Sequence, residues 1–182
     1  MAFAPILVEA SDEAALTLEE AKAHLVVDHD DDDDYIQSLI AVAQAHLDGP
    51  DGILGMVLMD SAWRQTIDVD GERVHTLPYG PVTSITSASL DGVAVAGNIA
   101  LGYRDSGVAV ASFAAMGRGS LVIDYRAGAL APAKIPAPLI HAMKLHIGSM
   151  YEYREMEIVG ASATDLPHYK ALTDPYRRRR VG

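Results

Sequence analysis

Apolar residues recur along the chain with two different periods, and the places where the period changes mark its organisation. The string TLEE opens the first regular stretch. Thr17 suits an N-cap and Glu20 lies three positions beyond it, a capping box followed by Ala21, Leu25 and Val26. A short helix over about 17–26 is predicted. A second helix begins inside the run VVDHDDDDDYIQSLI, after which Ile36, Leu39, Ile40, Ala43 and Leu47 recur at helical spacing. Gly49, Pro50 and Gly52 end it.

From Trp63 to Tyr125 the period shortens to two. WRQTIDVD alternates; GPVTSITSASLDG reads as a strand ending in an Asp91-Gly92 turn; VAVAG, GVAVASF and GSLVIDYRAG complete the set. Five or six short antiparallel strands, forming a small sheet or barrel, are expected. At Pro136 the helical period returns. Ile140, Met143, Ile147, Met150 and Tyr151 share a face, Pro136 and Pro138 suit the first turn, and the helix is expected to run to about Glu155. A Gly/Ala/Ser stretch and LPHYKALTDPYRRRRVG follow.

The predicted fold is therefore α+β: a small bundle of α-helices with an inserted antiparallel β domain and a mobile C-terminal tail. Its expected parts are an N-terminal segment (1–16), a helical pair and linker (17–60), the β domain (61–130), a long helix packing on the pair (131–157) and the tail (158–182). In the tail, Gly160, Pro167 and Pro175 stand among small and charged residues, so little apolar burial on its own subunit is expected. Leu166, Tyr169, Leu172 and Tyr176 are spaced as anchors for docking elsewhere, and Arg177, Arg178, Arg179 and Arg180 are suited to carboxylates on a partner.

Composition narrows the function. The chain has 182 residues, 49% of them hydrophobic, enough for one or two small domains with a core. Its net charge is −11, from 25 acidic and 14 basic residues, which disfavours wrapping nucleic acid. It has no cysteine, so disulfide frameworks and thiolate metal sites are excluded. The N-terminus lacks a basic region and is interrupted by Pro5 and Glu9, so no signal peptide is expected. No apolar run approaches the ~20 residues of a membrane span, and a soluble protein is expected.

The aspartates Asp28 and Asp30 to Asp34 are the most conspicuous chemistry. A calcium loop starting at Asp28 needs Gly at its sixth position and Glu at its twelfth, where Asp33 and Leu39 stand. Starting at Asp30 places Tyr35 and Ala41 there instead. Neither register fits. Helix initiation has a mechanism of its own: the first turn carries free N–H groups and a partial positive charge, so Asp30 or Asp31 is expected as N-cap with the others solvated. His141 and His146, like His24 and His29, are five apart, whereas zinc pairs on a helix use i and i+4; structural or surface histidines are expected. Gly119-Ser120 opens a strand and no G-x-S-x-G elbow is present, so no catalytic residue, cofactor or metal ligand is assigned.

The segment LTLEEAKAHLVVDHDDDDDYIQSLIAVAQAHLD resembles the opening of the head–tail connector (adaptor) proteins of tailed bacteriophages. Further landmarks of that family follow in order: Trp63-Arg64-Gln65, LPYGPV from Leu77, Tyr125-Arg126-Ala127-Gly128, Ile135-Pro136, Tyr151-Glu152 and Pro175-Tyr176-Arg177. The end of the second helix, AHLDGPDGILG, departs from the family's wording. The resemblance covers about residues 15–178. It implies a non-enzymatic virion protein of the neck, made in the host cytoplasm, forming a ring of typically twelve subunits beneath the portal. Such a ring extends the DNA channel without sequence-specific binding and presents a docking surface for the stopper or tail. The resemblance also places the C-terminal tail, with Tyr176 and the arginines, against the portal protein. No membrane is involved.

Two other classes compete with this reading. One is a divalent-metal-dependent enzyme using the Asp28–Asp34 cluster, although a contiguous run at a helix start fans its side chains by ~100° per residue. The other is a monomeric β-rich binding module, which wants exposed aromatics where only Trp63, Tyr79, Tyr103, Phe113 and Tyr125 occur.

Overall fold

The computed structural model describes residues 2–95, 99–104, 107–114, 117–128, 131–153 and 167–178. The chain divides into two compact units, one made of residues 1–11 and 59–130, the other of 12–58 and 131–182. The α+β expectation is borne out.

The first unit is antiparallel β-structure. Its strands are β1 (Ile6–Glu9), β2 (Ser61–Asp70), β3 (Val74–Leu77), β4 (Val82–Leu90), β5 (Val93–Ala94), β6 (Ile99–Tyr103), β7 (Ala109–Phe113) and β8 (Arg118–Ala127). They form a five-stranded sheet in the order β1-β2-β8-β4-β5 and a three-stranded sheet in the order β3-β7-β6. The period-two reading is right for β2, where alternate residues from Ser61 to Val69 are buried, and for β8, where Leu121, Ile123, Tyr125 and Ala127 are buried. Asp91 and Gly92 both have positive φ, the backbone of a tight two-residue hairpin turn. Between Ser61 and Ala127 seven strands are present among the described residues, more than the five or six expected there. The N-terminal segment is not a separate piece: it contributes β1, paired with β2. The Tyr103 hydroxyl donates to the Val82 carbonyl and so ties β6 to β4.

The residues on which the resemblance rests acquire physical roles here. Trp63 is buried, its indole N–H donates to Ser61 Oγ at 2.9 Å, and Tyr79 packs edge-on against it. Arg64 and Asp124, opposite each other on β2 and β8, make a two-pronged pair at 2.7 and 3.0 Å, with Ser87 adding a third bond to the carboxylate. The guanidinium holds the Asp124 carboxyl below the ordinary carboxylate range. Arg126 grips Asp60 in the same way.

The second unit is helical: α1 (Leu18–Leu25), α2 (Asp33–Leu47), α3 (Ala137–Glu152) and α4 (Pro167–Thr173), with 3-10 turns at Pro132–Lys134 and Asp174–Tyr176. The capping box forms as read, Thr17 Oγ1 accepting from Glu20 N at 3.2 Å and Glu20 Oε2 accepting from Thr17 N at 3.1 Å. All five residues of the predicted α2 stripe are buried. On α3 the buried set is Leu139, Ala142, Met143 and Ile147. Ile140, Met150 and Tyr151 are only half-buried, although α1, α2 and α4 all contact this helix. The stretch after α2 is more than a linker. Asp48 Oδ1 accepts from Leu58 N at 2.7 Å, Gly49 N donates to Met56 O at 2.9 Å, and Leu54, Val57 and Leu58 are buried. Among the described residues no helix is long and apolar enough to cross a membrane.

Gly128 closes the β unit at φ +104°, and a Cβ there would stand 2.1 Å from the Met59 carbonyl oxygen. Both the backbone angle and the clash oppose any side chain. Gly128→Ala is expected to lower unfolding stability by about 2 kcal/mol or more, read as a fall in denaturation midpoint at unchanged m-value.

Candidate functional site

The predicted site residues belong to the C-terminal part of the helical unit. Pro167 starts α4 and Pro175 sits in the first turn of the following 3-10 helix, positions where a missing N–H costs nothing. The α4 helix does not hang free. Tyr169 is 1% exposed, and its ring stands against those of His46 on α2 (centroids 6.3 Å apart) and His146 on α3 (6.1 Å). Thr173 is buried and its hydroxyl donates to Tyr169 O at 3.1 Å. Beyond α4, Arg177 Nε donates to Ile53 O at 3.1 Å and Arg178 N donates to Leu54 O at 2.9 Å.

These contacts correct the expectation that the tail buries little on its own subunit. Residues 167–178 are folded onto the helices, and Tyr169 is a core residue of its own chain instead of an anchor for another. Leu172 and Tyr176 are half-buried, while Pro175 and Arg177 are exposed. Leu166, Arg179 and Arg180 lie outside the described residues, as do residues 158–165 of the expected tail and 154–157 of the expected long helix. An open cleft of about 650 Å³ flanks this end, lined by Asp51, Ile53, Gly55, Asp174, Arg177 and Arg178. Its lining mixes two carboxylates with two guanidinium groups, a character suited to a polar peptide segment.

The two histidine pairs that the structure builds join different helices. His46 and His146 meet at 4.9 Å between α2 and α3, and His24 and His141 at 6.4 Å between α1 and α3. Spacing within one helix carries no signal of such pairs. Burial pushes the Tyr169 hydroxyl up to about 12 and, with the neighbouring His46, pushes His146 down to about 4. Both imidazoles of the pair are held below the ordinary histidine range by burial.

The acidic run divides among separate partners. The Lys22 ammonium on α1 bonds Asp30 at 2.7 Å and Asp33 at 2.6 Å. Asp32 accepts from the Tyr151 hydroxyl of α3 at 2.5 Å. The N-cap of α2 is Asp32, and not Asp30 or Asp31; it makes no side-chain cap bond, because its carboxylate is turned to Tyr151. Among the described residues no three His, Asp or Glu side chains gather as a metal site.

Residues 15–67, which include α1, α2 and the start of β2, match the family model of the phage gp6-like head-tail connector protein. The resemblance read from the sequence is borne out. Among solved structures the chain is similar to one in the neck of an empty GTA particle computed with C6 symmetry. The TM-score is 0.78 at 24% identity, over 99% of this chain and 98% of that one. It is also similar to chains of the native GTA neck computed with C12 symmetry (TM-score 0.70, 22% identity) and of the virion of the native gene transfer agent particle (0.66, 22%). Both matches cover 99% of this chain and 98% of the other. No curated protein matches the chain.

Two outcomes follow from the buried ring cluster. Tyr169→Ala is expected to cost about 3 kcal/mol, the range for emptying a buried aromatic site, measured by denaturant unfolding. An equal midpoint for variant and parent shows that α4 is not part of the folded unit. The second outcome concerns pH. Folded His146 takes up a proton only near about 4, whereas the unfolded chain does so near 6.5. The stability carried by its neutral form is thus fully present above 6.5 and is lost as pH falls toward 4. The melting temperature is expected to drop between about pH 7 and pH 5, and His146→Phe is expected to flatten that slope.

Proposed function

We propose that the protein is a structural head–tail adaptor of the neck of a tailed phage or related particle. It forms a ring beneath the portal that prolongs the DNA channel and offers the surface on which a stopper or tail docks. The observation that carries this reading is the near-complete correspondence of fold with chains of solved necks, 99% of this chain with 98% of the other at a TM-score of 0.78. The family match over α1 and α2 supports it independently. A ring of twelve copies is the stoichiometry suggested by the neck computed with C12 symmetry.

The chemistry of the chain suits the role. A net charge of −11 opposes adhesion of phosphates passing through a conduit, since like charges repel across a Debye length of ~8–10 Å. The docking end is the C-terminal segment, where Leu172, Pro175, Tyr176, Arg177 and Arg178 face the portal or a neighbouring copy, continued by Arg179 and Arg180. Leu166 precedes the same segment in sequence, and Tyr169 supports the segment from within. The protein acts as an assembly surface and carries out no reaction.

The test is to mix the purified chain with its cognate portal and determine mass and symmetry by native mass spectrometry and electron cryomicroscopy. A discrete ring of about twelve subunits on the portal is expected. A chain that stays monomeric and leaves the portal bare overturns the adaptor assignment.

A further inference from the structure

The first strand of the chain has apolar side chains on both faces and, among the described residues, a backbone edge with no strand beyond it. Among the described residues, ten large hydrophobic side chains are exposed, and four of them, Phe3, Ile6, Leu7 and Val8, fall within six consecutive positions at 50–61% exposure. They lie along one edge of the five-stranded sheet. Among the described residues the β1 strand pairs only with β2, and the pairing is prolonged toward the N-terminus by the Phe3 N to Thr66 O bond at 3.0 Å and the Ala2–Ile67 bridge. Ile6 stands opposite Arg64 and Leu7 opposite Trp63, so consecutive residues present apolar surface on opposite sides of the sheet.

A strand in this position is normally guarded. Edge strands are blunted by lysine, by inward charges, by proline or by a bulge. Here the register shifts between Leu7 and Glu9, and Glu9 is drawn toward Arg126 at 3.7 Å. These devices guard the Glu9 end and Pro5 blunts the other, which leaves Ile6, Leu7 and Val8 between them without a guard. Residues 2–8 carry no charged side chain, in a chain whose net charge is −11. Copies of so acidic a protein repel one another over most of their surface, and an uncharged apolar strip is where they can close to contact.

We propose that β1 is the subunit–subunit contact of the ring, its Ile6, Leu7 and Val8 packing on a second copy of this chain. The inference rests on the ring reading of the preceding subsection. Closure of a ring of more than two copies requires a heterologous contact, in which one patch meets a different patch of the next copy. The surface that receives β1 therefore lies outside residues 1–11. Pairing of β1 with β1 gives a closed two-fold dimer instead.

The chain has no cysteine, so Leu7→Cys introduces a single thiol that takes a benzophenone maleimide. The labelled full-length chain is assembled with its cognate portal, irradiated, and analysed by denaturing gel and peptide mass spectrometry. A ladder of covalently joined copies is expected, with attachment points outside residues 1–11 of the acceptor. Rings that form without such a ladder, or whose cross-links run to the portal or join β1 to β1, overturn this inference and leave the adaptor assignment standing. Absence of rings from the unmodified protein overturns both. In parallel, the double variant Ile6→Asp, Leu7→Asp is expected to melt close to the parent, because both side chains are more than half exposed in the free subunit. Its ring yield is expected to fall roughly tenfold or more, since each copy would bury unpaired carboxylates. A folded double variant that forms rings at the parental yield also overturns the proposal.

Discussion

Strand β8 is the constraint on which the β unit depends. All ten of its residues are in register with β2, and β4 pairs with most of its other edge. A strand paired on both sides has its backbone donors and acceptors satisfied without solvent, so its alternate side chains can be wholly withdrawn from water. Leu121, Ile123, Tyr125 and Ala127 use that opportunity at 0% exposure. The opposite set is polar apart from Val122, and Asp124 and Arg126 are tied to Arg64 and Asp60. A slip of one residue would drive these charges inward and Ile123 outward, so the register is held from both faces. The ion pairs themselves, partly open to water, contribute little net stability and act chiefly as register marks.

The helical unit solves a different problem, that of bringing helix ends together across an acidic loop. Asp30, Asp32 and Asp33 reach Lys22 on α1 and Tyr151 on α3, so the loop between α1 and α2 is held to both neighbouring helices. Repulsion within the run is relieved by one ammonium placed between two carboxylates, which also holds Asp30 below the ordinary carboxylate range. The favourable end of the α2 dipole contributes roughly 0.3–1 kcal/mol per well-placed charge. The residue at the cap position makes no cap bond, so tertiary contact has prevailed over local capping.

What the sequence revealed depended on how local each cause was. The capping box, the α2 stripe and the Asp91-Gly92 turn are determined within a few residues and were legible. The β1 strand was not: Ile6, Leu7 and Val8 do not alternate with polar residues, and both faces of the strand are exposed in the subunit, so no core face sets a period. The short strands β3 and β6 have too few residues for a period to show. The histidine pairs join positions a hundred and more residues apart, beyond the reach of any spacing rule. The misreading was of burial in the described part of the tail, residues 167–178. Tyr169, Leu172 and Tyr176 recur at three and four positions, which is the signature of an amphipathic helix packing on its own unit. Proline and arginine nearby drew the reading toward an unattached segment, yet both prolines sit where helices accept them.

In the proposed ring, the distribution of charge explains more than the total. The basic side chains Lys22, Arg64, Arg118, Arg126 and Arg177 are each engaged by a carboxylate of the same chain. Pairs of this kind cancel locally and leave the acidic excess to act at longer range, where it is felt by phosphates and by other copies alike. A conduit that must pass a polyanion gains from the first effect, but assembly has to overcome the second. Apolar contact is the interaction available for this, since it is short-ranged, insensitive to charge and strengthened by salt that screens the repulsion. An acidic subunit that oligomerises around DNA is thus driven to concentrate its uncharged surface in a few strips and to leave its charge everywhere else.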